Sequence, residues 1–246
     1  MAEYYRTKAF VFKKQDKGEA DRVFSIFTED FGRLEVTGKA IRKIASKLRA
    51  GIDMFYFSEI EFIQGKNKKI LTDAVKIKKF FVLYESPEKI KIALQIADIL
   101  DNFIKGQEKD KKVFEFLEEF FCNFSEKGKK IKNYRLALNY FFWNFISFQG
   151  YRLQVKSCAG CHQKLNPYSI YFSGKDGGII CGHCASNNKF KNGQYQKINS
   201  DIAKILRLIL NKDWHIISKL KVDQPSMNLL ESISENAVHT FSPIHS

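Results

Sequence analysis

The residues whose types and spacing could do chemistry are four cysteines. They read Cys158-Ala159-Gly160-Cys161 and, nineteen residues on, Cys181-Gly182-His183-Cys184. Two residues between cysteines let a tight turn aim both thiolates at one ion, and Gly160 and Gly182 let the backbone curl around it. Two such pairs at this separation match a four-cysteine zinc site. Four thiolates close a tetrahedral shell and leave no position for water or substrate, so Cys158, Cys161, Cys181 and Cys184 should hold one structural Zn2+. His162 and His183 then read as spacers. Four buried cysteines or two disulfides are the competing accounts. The intervening turns, Asn166-Pro167-Tyr168 and Gly174 to Gly178, flank a short strand from Ser169 to Ser173, which makes a small ribbon.

Motifs for other chemistries are absent from the sequence. There is no Gly-x-x-x-x-Gly-Lys-Ser/Thr for phosphates and no His-Glu-x-x-His. No His-x-Glu precedes the cysteines, as zinc deaminases require. The sequence therefore predicts no catalytic centre.

Charge points to a partner instead. The net charge is +14, unevenly spread. Residues 1–80 hold 18 Lys/Arg and 11 Asp/Glu; residues 81–126 hold 6 and 10; residues 127–175 hold 9 basic residues and no acid. A Lys-rich composition alone would not clear acids from so long a span, so a polyanion such as nucleic acid is expected. The densest candidate is Gly38 to Arg49, whose Lys39, Arg42, Lys43, Lys47 and Arg49 would displace counterions from phosphates while Ser46 donates to a phosphate oxygen. Tyr56 and Phe57 lie on opposite strand faces, so one of them is a candidate base platform. Lys66, Lys68 and Lys69 mark a hairpin tip. Lys127, Lys129, Lys130 and Lys132 lead into Arg135, which heads a very apolar helix and could grip a peptide carboxylate beside hydrophobic side chains.

The elements that must position these residues follow from periodicity. Strands are expected over 3–14, 22–28, 33–39, 54–64 and 70–78, with one longer crossover at 40–52. Five short strands in about 80 residues suit a closed Greek-key barrel, of which the OB fold is the commonest. From Ser86-Pro87-Glu88 the period becomes helical, with helices over about 87–104, 111–124 and 133–148. Gly193 opens a loop after the ribbon. Ser200 caps a further helix, and Pro225 separates it from the last. The fold class is thus multidomain α+β: an OB-fold barrel over 1–80, then a helical domain over 81–246 with a four-cysteine zinc ribbon inserted at 157–185. Met1 to Tyr5 lacks the pattern of a secretion signal, and the longest uncharged apolar run, Leu136 to Phe148, is too short to span a bilayer. Metal-type cysteines then place the chain in a reducing cytoplasm, with no membrane partner.

Taken together, these residues resemble the bacterial RecO recombination mediators. The resemblance rests on Gly18-Glu19-Ala20-Asp21-Arg22-Val23, Phe31-Gly32-Arg33-Leu34, Gly38 to Lys43 with Ser46-Lys47-Leu48-Arg49, Tyr134-Arg135-Leu136-Ala137-Leu138, Gly150-Tyr151 and the first cysteine pair. It implies an OB fold, a helical domain and a zinc element. It further implies binding of single- and double-stranded DNA, annealing of complementary strands, and loading of RecA onto DNA coated by single-strand-binding protein. RecR and the C-terminal tail of single-strand-binding protein are the implied partners, with Arg135 in the tail pocket. An RNA-binding barrel-plus-ribbon module and a protein-binding adaptor remain open.

Overall fold

Ala9, Phe10, Val11 and Phe12 are all fully buried, although a strand with one wet face should alternate. The reason is that both faces of this strand are covered. The structure, a computed structural model, describes residues 3–80, 86–126, 131–186 and 195–241. Strands β1 (Tyr4–Lys17), β2 (Asp21–Thr28), β3 (Gly32–Gly38), β4 (Tyr56–Gln64) and β5 (Lys69–Lys79) close a barrel in the order β1-β2-β3-β5-β4, with β4 returning to β1. All pairings are antiparallel except β3 with β5. This is the anticipated OB fold.

One face of β1 points Ala9 and Val11 into the barrel, among Phe24, Ile26, Leu34, Val36, Ile60 and Phe62. The other face points Phe10 and Phe12 outward, under two helices: α1 (Pro87–Phe103) and α2 (Lys111–Phe124). Phe10 meets Phe121 of α2 at 4.6 Å between centroids, and Phe57 meets Phe114 at 5.6 Å. Each helix begins as the sequence predicts. Ser86 accepts from the Lys89 N–H and Asp110 from the Val113 N–H, so an otherwise orphan donor is satisfied at each start.

Arg33 closes the other end of α1. Its guanidinium donates to the carbonyls of Asp101 (2.9 Å) and Ile104 (2.6 Å), pairs with the Asp101 carboxylate, and lies over the Phe12 ring. The last carbonyls of a helix lack partners within it, and a cation there also meets the negative end of the dipole. The Phe31-Gly32-Arg33-Leu34 motif is thus a joint between barrel and helix. Gly32, at φ +63°, supplies the turn into β3.

The chain forms two compact units, residues 1–127 and 128–246. The division expected at 80/81 follows the change from strands to helices; the compact units part later because α1 and α2 pack on the barrel. In the second unit the apolar helix α3 (Tyr134–Phe148) is central and meets α5 (Ser200–Leu210), α6 (Trp214–Lys219) and α7 (Gln224–Phe241). A three-stranded sheet, β7 (Gly178–Cys181), β6 (Ile170–Ser173) and β8 (Gln196–Ile198), stands beside the short helix α4 (Gly182–Ser186). Strands β7 and β8 and helices α4 and α6 were not anticipated.

Two helix starts differ from expectation. The cap of α5 is Asn199, whose Oδ1 accepts from the Ile202 N–H at 2.9 Å, while Ser200 is its first residue. Pro225 lies in the first turn of α7, where no hydrogen bond is lost, and Asp223 accepts from the Ser226 N–H at 2.9 Å. Lys127, Lys129, Lys130 and Gly193 lie outside the described residues.

Candidate metal centre and nucleic-acid interface

The four cysteines come together. Their Sγ atoms all lie within 4.8 Å of one another, and Cys161 and Cys181 approach to 3.8 Å. A tetrahedral ion with bonds of about 2.3 Å to sulfur sets its ligands about 3.8 Å apart, so the spacing fits such an ion. Local structure explains the convergence. The first pair sits in a turn closed by the His162 N–H on the Cys158 carbonyl (2.9 Å). The second pair spans the end of β7 and the start of α4. Backbone donors point at sulfur: the Cys181 N–H reaches Cys158 Sγ at 3.3 Å, and the Cys184 N–H reaches Cys181 Sγ at 3.5 Å. Gly182 lies close against Ser169: a Cβ there would come 2.0 Å from Ser169 Oγ and would force that hydroxyl to turn away.

The electrostatics fit a cation as well. Burial works against ionisation of Cys158, but N–H groups of Cys161, Cys181 and Gly160 outweigh it and hold the thiol at about 6. Burial and the three neighbouring sulfurs push Cys184 well above the usual thiol range. Sulfurs this close cannot all ionise together without a compensating charge, and a bound metal ion supplies it. The four residues can therefore hold a metal ion.

The basic loop is the second candidate. It leaves β3 at Gly38 and returns through a short 3-10 turn, Lys47–Ala50. Its root is fixed. The Asp21 carboxylate accepts from the Ala40 N–H at 2.8 Å, and the Arg42 N–H donates to the Ala20 carbonyl at 3.0 Å. Asp16 holds Arg22 at 2.6 Å and Arg42 at 3.4 Å. The Gly18-to-Val23 motif therefore anchors this loop. Ile41 is buried in the barrel core. Beyond it, Lys39, Arg42, Lys43, Lys47 and Arg49 are exposed and Ser46 is half-buried.

Two features here escaped the sequence reading. Ile44, between Lys43 and Lys47, is 94 % exposed. Lys14 and Arg22 join Arg42 and Arg49 around a cleft of about 380 Å³ beside the loop, with Asp53 as a carboxylate on Lys14. The pairing of Asp16 with Arg22 across the β1–β2 hairpin is the signal that could have brought Arg22 to the loop.

The aromatic pair divides as its opposite faces require. Phe57 is buried against Phe10, Phe80 and Phe114. Tyr56 is half-buried, with Lys79 Nζ 5.5 Å and Lys76 Nζ 6.0 Å from its ring centre. Lys66 and Lys68 are exposed at the β4–β5 hairpin tip. Arg135, at the start of α3, is engaged within its own unit. Its guanidinium forks onto Glu231 of α7 and reaches Asn228 Oδ1 at 2.9 Å. No described helix is long and apolar enough to cross a membrane.

Known proteins are similar to this chain along its length. The family model for the N-terminal part of recombination protein O matches residues 1–80, and that for its C-terminal part matches residues 84–240. A DNA repair protein RecO of Dehalococcoides mccartyi is 29 % identical over 227 residues, 92 % of this chain and 86 % of the relative. One from Roseiflexus is 27 % identical over 93 % of this chain and 78 % of the relative. One from Acetivibrio thermocellus is 25 % identical over 94 % and 89 %.

Proposed function

The chain belongs to the recombination protein O family, and from that premise we propose that it is a cytoplasmic, DNA-binding recombination mediator in DNA repair. In this reading it binds single- and double-stranded DNA and anneals complementary strands. It acts with RecR to help load RecA onto DNA coated by single-strand-binding protein. The observation that carries the reading is the loop from Lys39 to Arg49, which holds five exposed cations on a barrel while its base is tied to Asp16 and Asp21. A fixed root holds the charges at one place on the surface, and each phosphate contact would release a counterion.

Annealing needs no nucleotide hydrolysis here. Two phosphate backbones repel, and cationic surfaces that screen both keep strands close until pairing starts. The metal is proposed to be Zn2+, since four thiolates in a tetrahedral set suit it, with a structural role. It would fix the two cysteine turns and, through them, the strands on either side.

Arg135 is retained as the site for the acidic tail of single-strand-binding protein on one condition: the tail must displace Glu231. Glu231→Gln should then tighten binding of an acidic tail peptide, whereas Arg135→Ala should weaken it.

The test of the main reading is annealing of complementary oligonucleotides at low salt. The protein should accelerate it. Reversing Arg42, Lys43 and Lys47 to glutamate should abolish most of that acceleration. It should also reduce the slope of log affinity against log salt by about two units for single strands. Unchanged affinity in that variant would remove the loop from the DNA surface.

A further inference from the structure

Outside the barrel loop, a second cleft carries charge that the proposed function leaves unused. It has a volume of about 430 Å³ and lies between the cysteine-bearing turn and helix α5. Lys156 and Lys164 stand on the turn side; Lys204 and Arg207 stand on the helix side. Its floor is apolar, from Leu165, Ile170 and Ala203, the last two buried. Among the described residues no carboxylate lines it. Asp201, an exposed residue of α5, pairs with Lys204 at 2.9 Å. Lys156 and Lys164 have no acidic partner among the described residues.

The cysteine turn sets the spacing of those two lysines. Ser157 bridges Lys164, and the Cys158 N–H donates to the Gln163 carbonyl at 2.9 Å. On the opposite wall, Ser200 opens α5, an eleven-residue helix whose positive end borders the cleft. Pro167 lines the rim, and the next residue, Tyr168, is 91 % exposed.

The geometry points to this cleft as a second binding site for single-stranded nucleic acid, independent of the barrel loop. Phosphates would lie along Lys156, Lys164 and Lys204, and a base would stack on Tyr168. Charge complementarity favours this occupant over an acidic peptide. Arg207 donates its Nε hydrogen to the Val155 carbonyl at 2.8 Å, which fixes its guanidinium and leaves only the Nη hydrogens for a ligand, so most of the charge in the cleft is on lysines. Three separated lysines are point charges, suited to successive phosphates. An exposed aromatic beside a cationic groove is the common arrangement for unstacked bases. A protein with two strand sites can hold both partners of an annealing reaction. The metal would then set the position of the cations at one of them.

The proposal rests on the nucleic-acid reading above but not on the loop, so the two can fail separately. The experiment uses the full chain with its metal, in the variant with Arg42, Lys43 and Lys47 changed to glutamate. That variant should keep weak binding to a labelled thymidine oligonucleotide. Adding Lys164→Glu and Lys204→Glu should lower the remaining affinity about tenfold, and adding Tyr168→Ala alone should lower it by a similar factor. Tyr168 is solvent-exposed, so its loss leaves the fold intact. In the wild type, photo-crosslinking with an iodouracil-substituted oligonucleotide should mark residues 164–171.

If the loop variant loses all binding, or the added changes alter nothing and no crosslink falls in 164–171, the cleft is not a strand site, while the loop assignment stands. If the wild type does not bind the oligonucleotide at all, both readings fall. If the cleft changes weaken only an acidic, apolar-ended peptide, the cleft belongs to a peptide and the proposal is overturned.

Discussion

The two units present cations by different means. In the first, the basic loop is held by the fold's ordinary interactions: a buried Ile41, the Asp21 carboxylate on the Ala40 N–H, and Asp16 between two arginines. These attachments lie on a barrel whose core and outer aromatic wall already fix it. In the second, Lys156 and Lys164 flank a turn built on four sulfurs. Among the described residues the turn itself has a small cluster, with Cys158, Ile180 and Cys184 buried, while the sheet beside it packs Phe172 on Trp143 of α3. A cysteine turn with so little apolar surface cannot offset its ordering entropy by packing alone, so a bound metal ion would do there what a core does elsewhere. The barrel loop should therefore be insensitive to metal, and the cysteine turn strongly dependent on it.

Metal removal tests that contrast with the largest expected effect. Chelation, or Cys158→Ser, should expose β6 to β8 to proteolysis and fast amide exchange. Structural zinc is worth on the order of 10 kcal/mol in small zinc-binding peptides, so its loss should loosen the cysteine turns and the strands joined to them. Amides of β1 to β5 should keep their protection. Equal loss in both regions would end the comparison.

Next in size is Phe121→Ala. Phe121 is fully buried and touches Phe10, Phe55 and Phe80. The loss should cost the first unit about 3–5 kcal/mol in denaturant unfolding, with metal content unchanged.

Asp21→Ala should act locally. It removes the acceptor for the Ala40 N–H, and Ala40 sits at φ +52°. The expected cost is about 1–2 kcal/mol, together with a several-fold loss of oligonucleotide affinity although no cation is removed. A variant that is destabilised yet binds normally would show that the root does not position the loop.

The smallest effect concerns pH. Burial alone would raise the Asp101 carboxyl, but Lys13 and Arg33 hold it below its ordinary value. A carboxyl depressed by folding stabilises the protein above its unfolded pKa, and that share is lost as pH falls through the folded one. Unfolding of the first unit should therefore show a mild loss of stability below about pH 4, and Asp101→Asn should flatten it.

The ease of reading the sequence differed between these regions for physical reasons. The cysteine site was legible because metal geometry dictates a local spacing that survives any tertiary context. The helix start at Ser86 was legible because a cap acts within one turn; the Asp110 cap of α2 was found only in the structure. Helix α6 was missed because six residues carry too little period to register. Strand β8, three residues long, forms only because β6 offers an edge. Ser200 reads as a cap because its type suits the role, but the adjacent Asn199 suits it too, and the backbone position of the turn gives it to Asn199. Arg33 could be marked as part of a motif, but its task as the closing group of α1 depends on residues about seventy positions away.

By itself, then, the sequence determined which four cysteines converge, the order of barrel, helices and ribbon, and the presence of a basic loop. These depend on short-range spacing, on periodicity and on net charge. Only the tertiary structure decided where charge is free to act. It ties Arg42 to Asp16 and Arg135 to Glu231, and leaves Lys156 and Lys164 facing an open cleft. A side chain's charge is written in its residue type. Whether that charge is neutralised depends on which distant carboxylate the fold brings within a few ångströms.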